Sequence, residues 1–276
     1  AFEGADVVFF AGKEGGKGAS VQWGKKAVDQ GAVCVDNGGD FRLDPAVPLV
    51  VPEVNLDAVT PDKRFIASHN CSTIQMVLAL HPIHQAARIR RVVVSTYQSV
   101  SGWGVQAQQE LLDQIPHAVK SLDGIPFEPT VFAHPIAFNL FPHIDKFLED
   151  GYTKEEMKMV LETQKIMGDS SIKVTATCVR VPVVYGHSES VNITTAKKIG
   201  PEQVRQALSQ APGVKVVDDP AAKRYPMPLE AAHQDLTLVG RIREDISQER
   251  GIDLWLAADN IRKGAATNAV QIAEIL

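Results

Sequence analysis

The sequence predicts an α/β unit followed by a second, α+β domain, and three observations carry that reading. Short apolar runs at residues 7–11 and 32–36 flank a helix-like stretch at 21–30, the strand-helix-strand rhythm of a parallel sheet. A turn-rich segment, Asn37-Gly38-Gly39-Asp40-Phe41-Arg42, sits just beyond the second run, a favoured place for a ligand-binding loop in an open α/β sheet. Further along, residues 172–184 alternate partly, through Val174, Ala176, Cys178, Arg180 and Pro182, and residues 190–193 add a second strand-like run. Half-buried strands of that kind suit a mixed or antiparallel sheet.

The remaining elements follow in order. Pro45, Pro48 and Pro52 discourage long regular structure up to Val54. Phe65, Ile66 and Ala67 form a short strand that feeds a helix over 73–87, and the run Val92-Val93-Val94 marks a strand over 89–96. A polar loop at 96–102 leads to a helix at 105–119, and residues 130–143, with Pro135 and Pro142, read as loop and short strand. Glu155 and Glu156 open a helix over 153–166, which Gly168 stops. Pro201 starts a helix to 211; strands are predicted at 214–217, 235–243 and 251–258, and a closing helix reaches Leu276.

At 276 residues the chain can bury two cores, and 45% hydrophobic with 22% charged residues is ordinary for a soluble globular protein. A net charge of −5 gives no general reason to expect nucleic acid or an anionic membrane as partner. Three cysteines, Cys34, Cys71 and Cys178, make no disulfide framework and lack zinc-site spacing, which fits a reducing compartment. With no bilayer-length apolar run and no basic-then-apolar leader, a cytoplasmic location is expected.

Ser68-His69-Asn70-Cys71-Ser72-Thr73-Ile74-Gln75 holds polar and sulfur groups where a strand gives way to a helix. Backbone N–H groups and the helix dipole there are expected to lower a thiol pKa, which makes Cys71 the candidate nucleophile; a buried, inert thiol is the alternative. His187, after Gly186 in a turn between two strand-like runs, is the candidate base, against a structural histidine held by a loop carbonyl. Gln98 can orient a carbonyl without adding charge. Arg42, Lys158 and Arg180 suit phosphate or carboxylate, and Glu155 suits an ammonium group; each alone is more often a solvated surface charge or a salt bridge.

Other patterns are weaker. His81 and His84 stand one helical turn apart without a third ligand, and His187-Ser188-Glu189 is no better, so no catalytic metal is expected. Residues 12–20 invite a phosphate-loop reading, but Gly18 follows Lys17 where serine or threonine should stand, and the glycine spacing of a dinucleotide fingerprint is missing. That stretch reads as a mobile loop near a cofactor or as a plain connection.

Four motifs in order then point to a family. Asn70-Cys71-Ser72-Thr73-Ile74-Gln75, Ser95-Thr96-Tyr97-Gln98-Ser99-Val100-Ser101-Gly102, Arg180-Val181-Pro182-Val183 with Gly186-His187-Ser188-Glu189, and Arg262-Lys263-Gly264-Ala265-Ala266-Thr267-Asn268 together resemble bacterial aspartate-semialdehyde dehydrogenase. The resemblance implies a partial Rossmann-type NADP-binding domain over 1–70, a glyceraldehyde-3-phosphate-dehydrogenase-like catalytic and dimerisation domain over 71–259, and a C-terminal helix over 260–276 returning to the first domain. It implies reversible reduction of L-aspartyl 4-phosphate to L-aspartate 4-semialdehyde and phosphate with NADPH, toward lysine, threonine and methionine, by a homodimer or tetramer.

Carried over by position, Cys71 resembles the attacking thiol, His187 the general acid/base and Gln98 the group that orients the intermediate. Arg180 and Glu155 match the residues for the substrate carboxylate and amino group, and Arg42 and Lys158 the phosphate pair. Asn260 and Gly102 match the cofactor side. Against the family pattern, the chain is expected to lack the usual N-terminal dinucleotide-fingerprint segment. Asp40 beside the arginine loop, His69 in place of a common proline and Trp103 in place of alanine also depart from it. The alternatives are a truncated or non-catalytic relative serving assembly or regulation, and an N-acetylglutamyl-phosphate-reductase-like enzyme.

Overall fold

The computed structural model describes residues 2–12, 18–121, 124 and 126–276. Two sheets organise them. The first runs through β1 (Val7–Phe10), α1 (Ala19–Asp29), β2 (Val33–Asp36), α2 (Pro52–Asn55) and β3 (Phe65–Ala67), with the strands parallel in the order β1-β2-β3. Val35, Ile66 and Cys34 are fully buried, as near-continuous apolar strands covered on both faces should be. Residues 13–17, the core of the glycine-rich stretch, lie outside the described residues.

The second part comprises α3 (Cys71–Ala87), β4 (Ile89–Gln98), α4 (Val105–Lys120), α5 (Lys154–Ile166), β5 (Lys173–Arg180), β6 (His187–Thr195), α6 (Pro201–Ser209), β7 (Val214–Val216), α7 (Pro228–Ala231), β8 (Thr237–Glu244), β9 (Gly251–Ala258) and α8 (Thr267–Ile275). Its sheet has the order β5-β4-β6-β9-β8-β7. The β4–β5 and β7–β8 pairs are parallel and the others antiparallel, so the predicted mixed sheet is what forms.

Helix α3 is the central packing element. Met76, Leu80 and Ile83 sit against Val92, Val191 and Leu254 in one continuous cluster. Replacing Leu80 there by alanine should cost about 2–5 kcal/mol. Helix α5 is fixed at its start by a reciprocal cap in which Glu156 N–H donates to Thr153 Oγ1 at 3.3 Å and Thr153 N–H donates to Glu156 Oε2 at 2.7 Å. Glu156 Oε1 also accepts the N–H of Cys178 at 3.0 Å, which ties α5 to β5.

The chain's end returns to its beginning. Ala269 and Ile272 of α8 pack with Val35, Val50 and Ile66, beside a π-turn at Arg262–Ala266. From that turn Lys263, 1% exposed, reaches both carboxylate oxygens of Glu53 at 2.7 Å. A lysine so buried is held by that pairing.

Three of the boundaries that differ from expectation bear on the site. The helix predicted from residue 73 begins at Cys71, because Asn70 caps it. The strand through residues 172–184 stops at Arg180, ahead of Pro182, whose ring removes a donor from any ladder. His187 is the first residue of a long strand rather than part of a free-standing turn; the turn belongs to Gly186, whose φ of +84° favours glycine. Among the described residues no helix is long and apolar enough to cross a membrane.

Candidate active site

The N-terminus of α3, the C-terminal ends of β4 and β5 and the start of β6 meet at a cleft of about 650 Å³. Asn70 builds its inner wall. Its Oδ1 accepts the N–H groups of Ser72 and Thr73 at 2.9 and 3.2 Å, its Nδ2 donates to Glu155 Oε1 at 2.9 Å, and its own N–H donates to Glu162 Oε2 at 2.6 Å. Capping of this kind fixes where the helix starts, and therefore where Cys71 points.

Cys71 Sγ lies 3.3 Å from His187 Nε2. His187 is completely buried and reaches the sulfur from behind the cleft wall. Its Nδ1 accepts the backbone N–H of Ser99 at 3.1 Å, an obligatory donor, so the neutral ring carries its proton on Nε2, facing the sulfur. Burial, with the Arg180 charge in support, pushes this histidine well below its usual pKa. Gly102 permits the arrangement: a Cβ there would lie 3.1 Å from His187 Cε1 and 3.3 Å from an Arg180 guanidinium nitrogen.

The expected lowering of the Cys71 pKa is not what the structure shows. Burial, and next the Glu155 carboxylate, push the thiol up to about 12, outweighing Arg180, Arg42 and Lys158. The physical reason is desolvation of the thiolate, and the helix-end N–H groups of Ser72 and Thr73 that could offset it are already taken by Asn70 Oδ1.

The other residues singled out in the sequence converge on the same cleft: Arg42, Gln98, Gly102, Glu155, Lys158, Arg180 and Asn260 all line it. Glu155 Oε1 accepts from Gln98 Nε2 at 3.3 Å, and Glu155 Oε2 lies 3.5 Å from Lys158 Nζ, which also meets Asp145 at 3.2 Å. Arg180 donates to the Ser99 carbonyl and stacks 6.0 Å above the Phe132 ring. Arg42 donates to the carbonyls of Ser68 and Asn37 at 2.8 and 2.9 Å and to Glu162 Oε1 at 3.2 Å.

Asn260 is a hub. Its Oδ1 accepts from Ser99 Oγ, Ser101 Oγ and the Gly186 N–H at 3.0–3.1 Å, joining the loops that carry Gln98 and His187. Sequence reasoning missed Asn70, Ser99 and Glu162. Asn70 has the residue type of a helix cap, and Glu162 lies two turns beyond Glu155 on one face of α5; those are the signals that could have found them.

The departures noted in the sequence separate. Trp103 and His69 line the cleft, whereas Asp40 is exposed and absent from its wall. Burial drives His69 down to about 3, leaving it neutral, with Nδ1 against the Asn70 carbonyl at 2.9 Å. His84 is occupied by the Ile89 N–H at 3.2 Å, and Glu189 is a fully buried carboxyl that burial lifts to about 8, hence a neutral acid at pH 7.

Comparison with known proteins places the chain in a family. The model of the semialdehyde dehydrogenase dimerisation domain matches residues 80–263, and that of the semialdehyde dehydrogenase NAD-binding domain matches residues 1–61. The second match overturns the expectation that the N-terminal dinucleotide-fingerprint segment is lacking: residues 1–61 match the model of the family's NAD-binding domain. A glycine spacing is one local signature, whereas the domain is matched across β1, α1, β2 and the loops that join them.

An aspartate-semialdehyde dehydrogenase of Aquifex aeolicus is 53% identical over 277 residues, covering 100% of this chain and 80% of that protein. The crystal structure of aspartate semialdehyde dehydrogenase II from Vibrio cholerae complexed with ASA superposes with a TM-score of 0.91 at 48% identity, covering 98% of this chain and 79% of the other. The Candida albicans enzyme, solved with NADP, gives 0.74 at 26% identity, covering 98% and 77%. The chain belongs to the aspartate-semialdehyde dehydrogenases, NAD(P)-dependent phosphorylating aldehyde dehydrogenases with a Rossmann-type domain and a glyceraldehyde-3-phosphate-dehydrogenase-like catalytic and dimerisation domain.

Proposed function

We propose that this chain converts L-aspartate 4-semialdehyde, phosphate and NADP reversibly to L-aspartyl 4-phosphate, NADPH and a proton, through a thioester on Cys71. The single observation that carries the reading is the 3.3 Å approach of Cys71 Sγ to His187 Nε2, in a cleft also lined by Glu155, Arg180, Arg42 and Lys158.

The backbone approaches the reacting pair closely at two glycines: a Cβ on Gly264 would lie 3.1 Å from Cys71 Cβ, and one on Gly102 would crowd His187. Gly102 and Asn260 line that side. When bound, NADP supplies the hydride acceptor. All other steps belong to the chain. Glu155 takes the substrate ammonium and Arg180 its carboxylate, which fixes the aldehyde against the sulfur. Glu155 is also the charge that most raises the thiol pKa, so an ammonium beside it favours the thiolate.

With the substrate ammonium beside Glu155 the Cys71 thiol releases its proton to water; the thiolate adds to the aldehyde carbon, and the oxyanion formed is met by the Nε2–H of His187, the proposed acid/base group, with Gln98 orienting it. Loss of hydride from that carbon leaves the thioester. Phosphate, held by Arg42 and Lys158, attacks the thioester carbonyl, the tetrahedral adduct expels the thiolate, and the phosphate proton is released to water. A homodimer, consistent with the matched dimerisation domain, is the proposed assembly, and the division 1–70, 71–259 and 260–276 is the proposed organisation.

The test is phosphate-dependent NADPH formation from L-aspartate 4-semialdehyde, with Cys71→Ala as control. Turnover that is lost in the control supports the proposal. Equal turnover with an N-acylated glutamate semialdehyde would move the substrate assignment to the related reductase.

A further inference from the structure

Helix α5 presents two carboxylates toward the inner wall of the cleft. Glu155 lines the cleft and meets Gln98 and Lys158, as described, whereas Glu162, 1% exposed, lies behind its lining. Its two oxygens are divided. Oε1 accepts from an Arg42 guanidinium nitrogen at 3.2 Å, and Oε2 accepts the backbone N–H of Asn70 at 2.6 Å.

Both partners are N–H donors, so the ionised carboxylate, with an acceptor at each oxygen, is the form that satisfies both. One side chain thus joins the cation proposed for phosphate to the residue that starts the nucleophile's helix. The same helix grips the Arg42 loop a second time: Lys165 Nζ donates to the carbonyls of Arg42, Asp44 and Val47 at 2.7–2.8 Å.

We propose that Glu162 is a positioning residue for the phosphate step, a bridge that holds the Arg42 guanidinium at a fixed place relative to the thioester carbonyl on Cys71. The inference rests on the thioester reading above. The amino-acid end of the substrate is held by other groups and the Asn70 side chain still caps the nucleophile's helix, so the loss at Glu162 falls chiefly on phosphate recognition. A carboxamide of the same shape offers one oxygen and one NH2 group, so it cannot accept from both Arg42 and Asn70.

The experiment compares wild type, Glu162→Gln and Glu162→Asp, each checked for folding by thermal melting, in two assays. The first is the burst of NADPH on mixing with L-aspartate 4-semialdehyde and NADP without phosphate, which reads thioester formation. The second is steady-state turnover against phosphate. Glu162→Gln should raise the phosphate KM at least about tenfold while keeping the burst amplitude and the aldehyde KM within about twofold. Glu162→Asp, which keeps the charge on a shorter arm, should fall between, and it carries the test where the amide variant does not fold.

A wild-type burst with an unchanged phosphate KM in the variants would overturn this inference alone. So would a variant that loses burst and both KM values together, the pattern of a merely structural residue. A wild type without any burst would overturn the thioester reading, and this inference with it.

Discussion

At the sulfur end of the cleft the groups are arranged to stay neutral, whereas at the Arg42 end they are arranged as paired charges. Cys71 is pushed up and His187 well down, both chiefly by burial, so the resting pair is thiol and neutral imidazole. Arg42, by contrast, is bridged to Glu162, and Lys158 contacts Asp145 and Glu155. Among the described residues, desolvation goes unopposed by any close ion pair at the first end, whereas at the second, where burial also raises the Glu162 carboxyl, the Arg42 charge opposes it. A covalent step at carbon needs a nucleophile that reacts only when the substrate is in place. A site for a dianion needs fixed cations.

The comparison can be broken most severely at His187. Replacing it by alanine removes the N–H that faces the sulfur and should lower kcat by about 10²–10⁴-fold, with little change in the phosphate KM. Steady-state kinetics in both substrates would show it. A parallel rise in phosphate KM would mean the two ends are not separable.

Gly102→Ala tests the close approach behind the cleft. Its Cβ would stand 3.1 Å from His187 and 3.3 Å from Arg180, so one of them must shift. A displacement of a few tenths of an ångström should reduce kcat by about tenfold with the thermal midpoint little changed. Retained activity would show that the ring is free to move.

The neutral state of the thiol makes a graded prediction. Because the Cys71 pKa is raised to about 12, the thiolate fraction should grow about tenfold per pH unit through pH 7–10 without levelling. Iodoacetamide trapping followed by mass spectrometry reads that slope. Glu155→Gln removes the charge that raises the thiol most after burial, so trapping at fixed pH should quicken by about tenfold. A plateau near pH 8 in the wild type would contradict the assignment.

The smallest effect belongs to the cap. Asn70→Ala deletes the acceptor of the Ser72 and Thr73 N–H groups and should cost about 1 kcal/mol of stability in denaturant unfolding, with a larger effect on kcat because Cys71 is the next residue.

How far the sequence reveals this site depends on the kind of signal. Apolar periodicity located β1, β2, β4 and β9 and the helices that cover them, since burial dictates that pattern. The motifs that carry Cys71, Gln98, Arg180 and His187 were visible because each sits at an element's end, where polar residues interrupt an apolar run. The thiol's ionisation was not visible. A helix start suggests a lowered pKa, and only the three-dimensional arrangement shows that Asn70 takes the helix-end N–H groups and that Glu155 stands nearby. Glu162 was hidden for the same reason: its partners, Arg42 and Asn70, are remote in the chain. The N-terminal domain was misread because the fingerprint segment was expected ahead of Val7, whereas residues 1–61 themselves match the NAD-binding domain.

The most direct test of the account is the stoichiometry of NADPH released in a single mixing with L-aspartate 4-semialdehyde and NADP before phosphate is added. The account predicts about one NADPH per Cys71, no burst in Cys71→Ala, and resumed turnover when phosphate arrives. Turnover in the Cys71→Ala chain, or wild-type turnover that proceeds without a burst and without phosphate, would contradict a thioester on Cys71.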